Sequence, residues 1–238
     1  MPSEATPSQR TVIEFVGIPG SGKSFLTNHL SAGSDFATLN FMSRTEGRLA
    51  AYLRYAGLGA RMFGDIMRTL KQSGTFSRSK PEKIRRWQLK LLLRAVVLAD
   101  RIGREVRPGS TRIQVLDQGV LQSLLSCRMA GIYMDRRMVD RLLTQARTLP
   151  DTRLVLLHAA SSDIAMSSIQ TRLDNQLPAL TMFDGIELQA LFARYQEAFG
   201  WIEAELHNRN YSTLRTDRAD PTEYTLSRIR AKMQMKSC

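Results

Sequence analysis

Residues 11–24 read TVIEFVGIPGSGKS, and this stretch decides the fold. It opens with a short β-branched and apolar run, Thr11 to Val16, which predicts a buried strand. Directly after it, residues Gly17 to Ser24 match the pattern G-x-x-x-x-G-K-[ST] in full. A helix is expected to begin near Lys23, so the pattern lies between a strand and a helix, as it requires. The sequence therefore predicts an α/β fold built around an anion-binding turn.

The glycine-rich turn predicts a polyphosphate site. Glycines let the backbone curl so that successive amide hydrogens point inward, and the following helix adds its positive amino-terminal end. Lys23 is expected to reach the β and γ phosphates, and the Ser24 hydroxyl to hold a magnesium ion that bridges them. The expected cofactors are ATP and Mg²⁺, and the alternative is a glycine-rich turn with an incidental lysine. The residues predicted to bind the nucleotide are Gly17, Gly20, Ser21, Gly22, Lys23, Ser24 and Phe25.

Strands and helices alternate along the rest of the chain. Further strands are predicted at residues 36–42, 112–116, 153–158 and 211–216, and helices at residues 82–105, 120–130, 135–148, 162–172, 186–207 and 221–232. This alternation predicts a mostly parallel sheet of about five strands covered by helices on both faces. We expect residues 1–10 to form a flexible tail and residues 11–238 to form a single domain, with a lid at about residues 173–185.

Positive charge is concentrated in one segment, residues 44–107. It holds 16 Lys and Arg against 5 Asp and Glu, which accounts for all but one of the 12 net positive charges. Its composition predicts several helices before the third strand, interrupted by glycines and Pro81. The charge suggests an anionic partner, either nucleic acid or acidic lipid, and the alternative is a set of solvated helix faces.

Composition excludes several classes of protein. Hydrophobic residues make up 43% of the 238 residues, too many for a wholly disordered chain. No window approaches the roughly 18 apolar residues that cross a bilayer, and no secretion signal is recognisable, so a cytoplasmic protein is expected. The two cysteines, Cys127 and Cys238, lack metal-ligand spacing.

Asp117 is the best candidate for a catalytic carboxylate. It follows the predicted strand 112–116, and a carboxylate at the carboxyl end of a strand beside the phosphate loop can orient a magnesium-bound water or accept a proton. The alternative is a cap for the next helix. No N-K-x-D segment for reading a guanine base is present, which leaves small phosphoryl-transfer kinases as the favoured class.

Beyond the phosphate loop, the chain resembles P-loop kinases, in particular thymidylate kinase-like proteins, over most of residues 11–232. Residues 98–101 (LADR) resemble the family's A-D-R, residues 115–118 (VLDQ) its strand-terminal D-R, and residues 163–172 its entry into the lid. The resemblance implies the P-loop NTPase fold and transfer of the γ-phosphoryl group of ATP to a small acceptor. It implies catalytic roles for Lys23, Asp117 and Arg172, magnesium binding by Ser24 and Asp117, and acceptor binding by Arg101 and Gln118.

The chain also departs from that family. Gln118 stands where thymidylate kinases have an arginine, Ser168 stands at the first lid arginine, and residues 173–185 contain no arginine. Because guanidinium groups stabilise phosphoryl charge far better than these side chains do, dTMP is expected to be a poor acceptor. Two alternative functions are a polynucleotide 5′-hydroxyl kinase and a nucleotide-binding protein with little turnover that acts through an anionic partner. A homodimer is compatible with each reading.

Overall fold

The computed structural model describes residues 11–18, 21–32, 35–39, 48–106, 112–150, 153–174 and 188–234. Five parallel strands form one sheet in the order β2-β3-β1-β4-β5. They are β1 (Val12–Val16), β2 (Phe36–Thr38), β3 (Ile113–Leu116), β4 (Arg153–Ala159) and β5 (Ser212–Asp217). Because all strands are parallel, their carboxyl ends meet at one edge of the sheet, and the phosphate loop leaves the central strand at that edge.

Helices cover both faces of this sheet. They are α1 (Lys23–Ser31), α2 (Arg48–Gln72), α3 (Glu82–Glu105), α4 (Val120–Met129), α5 (Arg136–Gln145), α6 (Ser162–Asp174), α7 (Leu188–Asn208) and α8 (Thr222–Gln234). Side chains alternate along β1, so that Val12 and Val16 join the core under α2 to α7 while Ile13 and Phe15 join the core under α1 and α8. The predicted α/β sheet with two covered faces is thus confirmed.

The segment before the third strand is more regular than its glycines predict. Gly57, Gly59 and Gly64 do not interrupt α2, which runs through all three of them. A buried stripe with helical spacing, made of Leu58, Met62, Ile66 and Leu70, holds α2 to the core and outweighs the low helix propensity of glycine. Gly74, with a φ of 61°, and Pro81, at the amino-terminal end of α3, do separate the two helices.

Two predicted boundaries need correction. Strand β2 ends at Thr38, and residues 40–42 of the predicted strand lie outside the described residues. Helix α6 continues to Asp174, so the first two residues of the expected lid are helical. The remainder of the predicted lid, residues 175–185, and the predicted tail, residues 1–10, lie outside the described residues. Within the described part of the chain, no helix combines the length and the apolar character needed to cross a membrane.

Candidate active site

The phosphate loop turns sharply between β1 and α1. At Gly17 there is no space for a side chain, because a Cβ would overlap the backbone oxygen of His158 at the end of β4. Gly22 precedes α1 with a φ of 95°, a left-handed conformation that favours glycine. The buried Ser21 lies between them, whereas Gly20 falls outside the described residues. Close packing at Gly17 and the left-handed backbone at Gly22 thus explain the two glycines that the motif requires.

The Lys23 side chain folds back over the glycine-rich turn. Its Nζ donates to the backbone oxygens of Gly17 at 2.8 Å and Ile18 at 2.9 Å, and it lies 3.5 Å from the Ser21 Oγ. The ammonium group is therefore placed at the mouth of the turn, beside the amino-terminal end of α1. Positive charge from the lysine and from the helix end reinforce each other there.

Ser24 and Asp117 are brought together across the central strands. The Ser24 Oγ, on the first turn of α1, donates to the Asp117 Oδ2 at 2.9 Å. The other carboxylate oxygen, Oδ1, is buried and has no hydrogen-bond partner among the described residues. A desolvated carboxylate oxygen is costly without a cation or proton beside it. A hydroxyl and a carboxylate are also the protein ligands that Mg²⁺ takes when phosphates and waters supply the rest, so the pair fits this ion.

The connection from β3 to α4, which carries Asp117, is fixed by a buried acid on the central strand. The Glu14 Oε1 accepts a hydrogen bond from the backbone N–H of Leu121 at 2.6 Å, in the first turn of α4. Glu14 also pairs with Arg153 on β4, and both side chains are almost completely buried. A Cβ at Gly119 would overlap the Glu14 carboxylate, so only glycine fits there. Glu14 therefore positions the segment that holds the candidate carboxylate, Asp117.

Sequence analysis did not single out Glu14, although an acidic residue inside an otherwise apolar strand is a usable signal of a buried pair. At the next residue of α4 after Leu121, the Gln122 Oε1 accepts from the backbone N–H of Gly17 at 3.0 Å. This bond ties the start of the phosphate loop to the same helix. The phosphate loop and the segment that carries Asp117 are thus both held in position by contacts with α4.

His158 packs beneath the phosphate loop as a neutral side chain. It is 2% exposed, and its Nδ1 lies 2.9 Å from the Thr216 Oγ1 on β5. Burial, with the positive charges of Lys23 and Arg218, lowers the pKa of His158 to about 4. At neutral pH the imidazole adds no charge to the phosphate site.

One open cleft of about 440 Å³ is lined by five of the predicted nucleotide-binding and catalytic residues, Gly22, Lys23, Ser24, Phe25 and Asp117. Gly17 and Ser21 are not part of its lining. Phe25 is 54% exposed, and its ring contacts His29 with 4.1 Å between ring centroids. The side chains and backbone that surround the cleft come from α1, from the end of β3, from α6 and from the residue after β5: Gly22, Lys23, Ser24, Phe25, Asp117, Gln118, Ser167, Ser168, Thr171 and Arg218.

The two predicted acceptor-binding residues are placed differently. Gln118 lines the cleft, and its Oε1 accepts from Arg94 of α3 at 3.3 Å. Arg101, two turns further along α3, is 9% exposed and donates to the Glu105 carboxylate at 3.0 Å. Arg94 is thus the α3 arginine that reaches the cleft residue Gln118, whereas a contact between Arg101 and an acceptor stays a prediction.

The wall opposite the phosphate loop is formed by α6 and by the residue after β5. Arg172 lies within α6, but its side chain lies outside what the structure describes, so its predicted catalytic role stays untested. Arg218 was not singled out in the sequence. It lines the cleft, and its Nη1 donates to the Ser168 Oγ at 3.1 Å. Its position directly after the last strand was the available signal, since that strand ends at the same sheet edge.

Comparison with solved structures shows the fold. Deoxyadenosine kinase from M. mycoides with bound dCTP superposes with a TM-score of 0.50 at 11% identity, covering 94% of this chain and 99% of that one. The two chains thus share one fold, a five-stranded parallel sheet covered by helices. The same enzyme with bound dATP gives a TM-score of 0.47 at 13% identity, covering 94% and 99% of the two chains. With the products dCMP and dCDP it gives 0.49 at 11%, covering 94% and 98%.

The sequence itself has no comparable match. No protein-family model matches the chain, and no curated protein sequence matches it. The likeness to the solved structures is therefore one of fold, and function has to be argued from the residues of the cleft.

Proposed function

We propose that this protein is an ATP-dependent kinase that transfers the γ-phosphoryl group to a small acceptor, with Mg²⁺ as the metal cofactor. The observation that carries the proposal is the 2.9 Å contact between the Ser24 hydroxyl and the Asp117 carboxylate. It joins a complete phosphate-loop motif to a carboxylate at the end of the neighbouring strand, which is the pairing that phosphoryl transfer with a metal needs. The fold, shared with a deoxyadenosine kinase, supports the same reading.

Each group has a distinct task in this proposal. The phosphate-loop amides and Lys23 bind and orient the polyphosphate, so that the reaction is promoted mainly by positioning and charge stabilisation. Ser24 and Asp117 would hold the magnesium ion, which neutralises phosphate charge when bound. In the same proposal, the Asp117 carboxylate accepts the proton of an attacking hydroxyl. Arg172 of α6 is proposed to follow the transferring group.

The acceptor is proposed to be a nucleoside, a nucleotide or a sugar, with deoxynucleosides as the first class to test. Gln118 beside Asp117 offers an amide where an acceptor phosphate would favour a guanidinium. Transfer to dTMP should therefore be slow, unless Arg94, which contacts Gln118, supplies the missing charge.

The experiment is an ATP-consumption screen with deoxynucleosides, nucleoside monophosphates including dTMP, sugars and oligonucleotides. For the preferred acceptor, Lys23→Ala should abolish ATP binding and turnover. Asp117→Asn should keep ATP affinity within a few-fold and remove most turnover, because an amide keeps the shape of the site but cannot take a proton.

The screen also separates the proposal from its rivals. A Lys23→Ala variant that binds Mg-ATP as the wild type does would reject the nucleotide site. Efficient phosphorylation of dTMP would reject the acceptor argument. Transfer confined to oligonucleotide 5′-hydroxyls would favour a polynucleotide kinase instead.

A further inference from the structure

Charge is unevenly distributed around the cleft. From α6, the groups that face it are the hydroxyls of Ser167, Ser168 and Thr171. Among the side chains that the structure describes there, the positive groups are Lys23, on the loop itself, and Arg218. A hydroxyl stabilises phosphate charge far less than a guanidinium does. Among the described side chains on the α6 side of the cleft, the positive charge therefore comes from Arg218.

Arg218 reaches this wall from the end of β5. Its backbone N–H donates to the Ala159 oxygen at 3.0 Å, which fixes the residue against the end of β4. Asp217 secures the corner, because its Oδ1 accepts from the backbone N–H of Ala219 at 2.8 Å. Contacts with β4 and within the turn thus fix the backbone of residues 217–219. The direction in which the Arg218 side chain leaves the backbone is fixed with it.

The Arg218 side chain runs across the phosphate loop. Its Cγ and Cδ lie 3.9 Å from the position that a Cβ would take at Gly22, the residue before α1. Its Nη1 then donates to the Ser168 Oγ at 3.1 Å. The side chain therefore spans the gap between the residue before α1 and helix α6, on the side of the cleft that faces the loop. Ser168 is also the residue that stands where the family resemblance led us to expect an arginine.

We propose that Arg218 is a phosphate-contacting residue of the nucleotide site, which supplies from β5 the guanidinium that α6 lacks at Ser168. The proposal rests on the proposed function, since it assigns the ligand as the phosphates of a bound nucleoside triphosphate. The planar guanidinium pairs with two phosphate oxygens at once, a geometry that an ammonium group cannot reproduce. The Ser168 hydroxyl orients the guanidinium toward the loop.

The test is titration calorimetry with two ligands, Mg-ADP and inorganic triphosphate, which share phosphates but not a base. Arg218→Gln is expected to weaken both by about tenfold or more, as for the loss of a charge-assisted bond, and Arg218→Lys to recover part of that loss. The matched control is Arg215→Gln. Arg215 lies within β5, which ends just before Arg218, and it is exposed and pairs with Glu203 of α7, so its variant should bind both ligands within twofold of the wild type. Thermal unfolding shows whether each variant is folded.

The outcomes separate this inference from the function on which it rests. If Arg218→Gln binds both ligands like the wild type while Lys23→Ala does not, Arg218 is rejected and the nucleotide site stands. A loss for Mg-ADP with no loss for inorganic triphosphate would place Arg218 on the base and also reject the proposal. If the wild type binds neither ligand, the proposed function itself fails.

Discussion

A buried histidine beneath the phosphate loop stays uncharged at neutral pH. His158 lies close to Lys23 and Arg218, and a third positive charge there would be repelled by both. Asp217 and the backbone at Ser21 act in the opposite direction, but burial dominates and keeps the pKa low. The imidazole therefore serves as a neutral packing group that hydrogen-bonds with Thr216.

We predict that His158 makes the protein less stable in mild acid. The unfolded side chain takes up a proton near pH 6.5 and the folded one near pH 4. The contribution of His158 to the free energy of unfolding is therefore complete above pH 6.5 and falls as the pH drops toward 4. The contribution lost by pH 4 is on the order of 3 kcal/mol.

Urea unfolding of wild type and His158→Gln at pH 7.5, 6, 5 and 4 measures this effect. Carboxylates titrate in both proteins, so the difference between their pH slopes isolates the histidine. The variant should be less sensitive to acid between pH 6.5 and pH 4. Equal slopes for the two proteins would show that His158 titrates normally in the folded state.

At the scale of elements, the basic segment is partly neutralised within its own helices. Arg68, Arg101 and Arg104 each pair with an acidic side chain three or four residues away on the same helix. The most buried of these acids is Asp65 of α2, which also accepts from Arg137 and Arg141 of α5. Part of the positive charge in residues 44–107 is thus neutralised within the fold, and Asp65 joins α2 to α5.

Asp65→Asn should therefore destabilise the junction of α2 and α5. Asp65 is 6% exposed, and three guanidinium groups lose their common partner in the variant. We expect a loss of about 1–3 kcal/mol, as for charge-assisted hydrogen bonds to a buried group.

The control is Glu82→Gln, which removes an exposed pair with Arg86 on α3 and should change stability by less than about 0.5 kcal/mol. Urea unfolding at neutral pH compares the two variants. Equal losses would mean that the Asp65 cluster behaves as an ordinary surface pair.

Local signals in the sequence were sufficient for the strands and for the phosphate loop. The run TVIEFV and the motif after it specify β1, the turn and the start of α1 through residues adjacent in the chain. Helix α2 was different, since its three glycines suggested breaks that tertiary packing of Leu58 and Met62 overrides. Propensity is a weak guide where a buried stripe is complete.

The site shows the same division. Lys23, Ser24 and Asp117 were predictable because each belongs to a motif or follows a strand. The contacts of Arg94 with Gln118 and of Arg218 with Ser168 were not predictable, because they join elements that lie 24 and 50 residues apart in the sequence. Such contacts depend on how the helices and strands pack, and one sequence does not show that.

At the scale of the whole molecule, nucleotide binding should stabilise the fold. The cleft draws on the carboxyl ends of β1, β3 and β5 and on α1 and α6, so a ligand there binds the folded chain and not the unfolded one. Mg-ATP at 100 times its dissociation constant adds about 2.7 kcal/mol to the free energy of unfolding. For a domain of this size, that corresponds to a rise in Tm of between about 5 and 10 °C.

Differential scanning calorimetry with and without Mg-ATP checks this prediction, and Lys23→Ala is the control. The Tm of each protein without ligand is the reference for its rise with Mg-ATP, because the Lys23 ammonium also bonds to the Gly17 and Ile18 oxygens of its own loop. The variant should gain little from Mg-ATP at the concentration that saturates the wild type. An equal rise in Tm for both proteins would place the stabilising nucleotide outside the phosphate loop, because the lysine then makes no contribution to its binding.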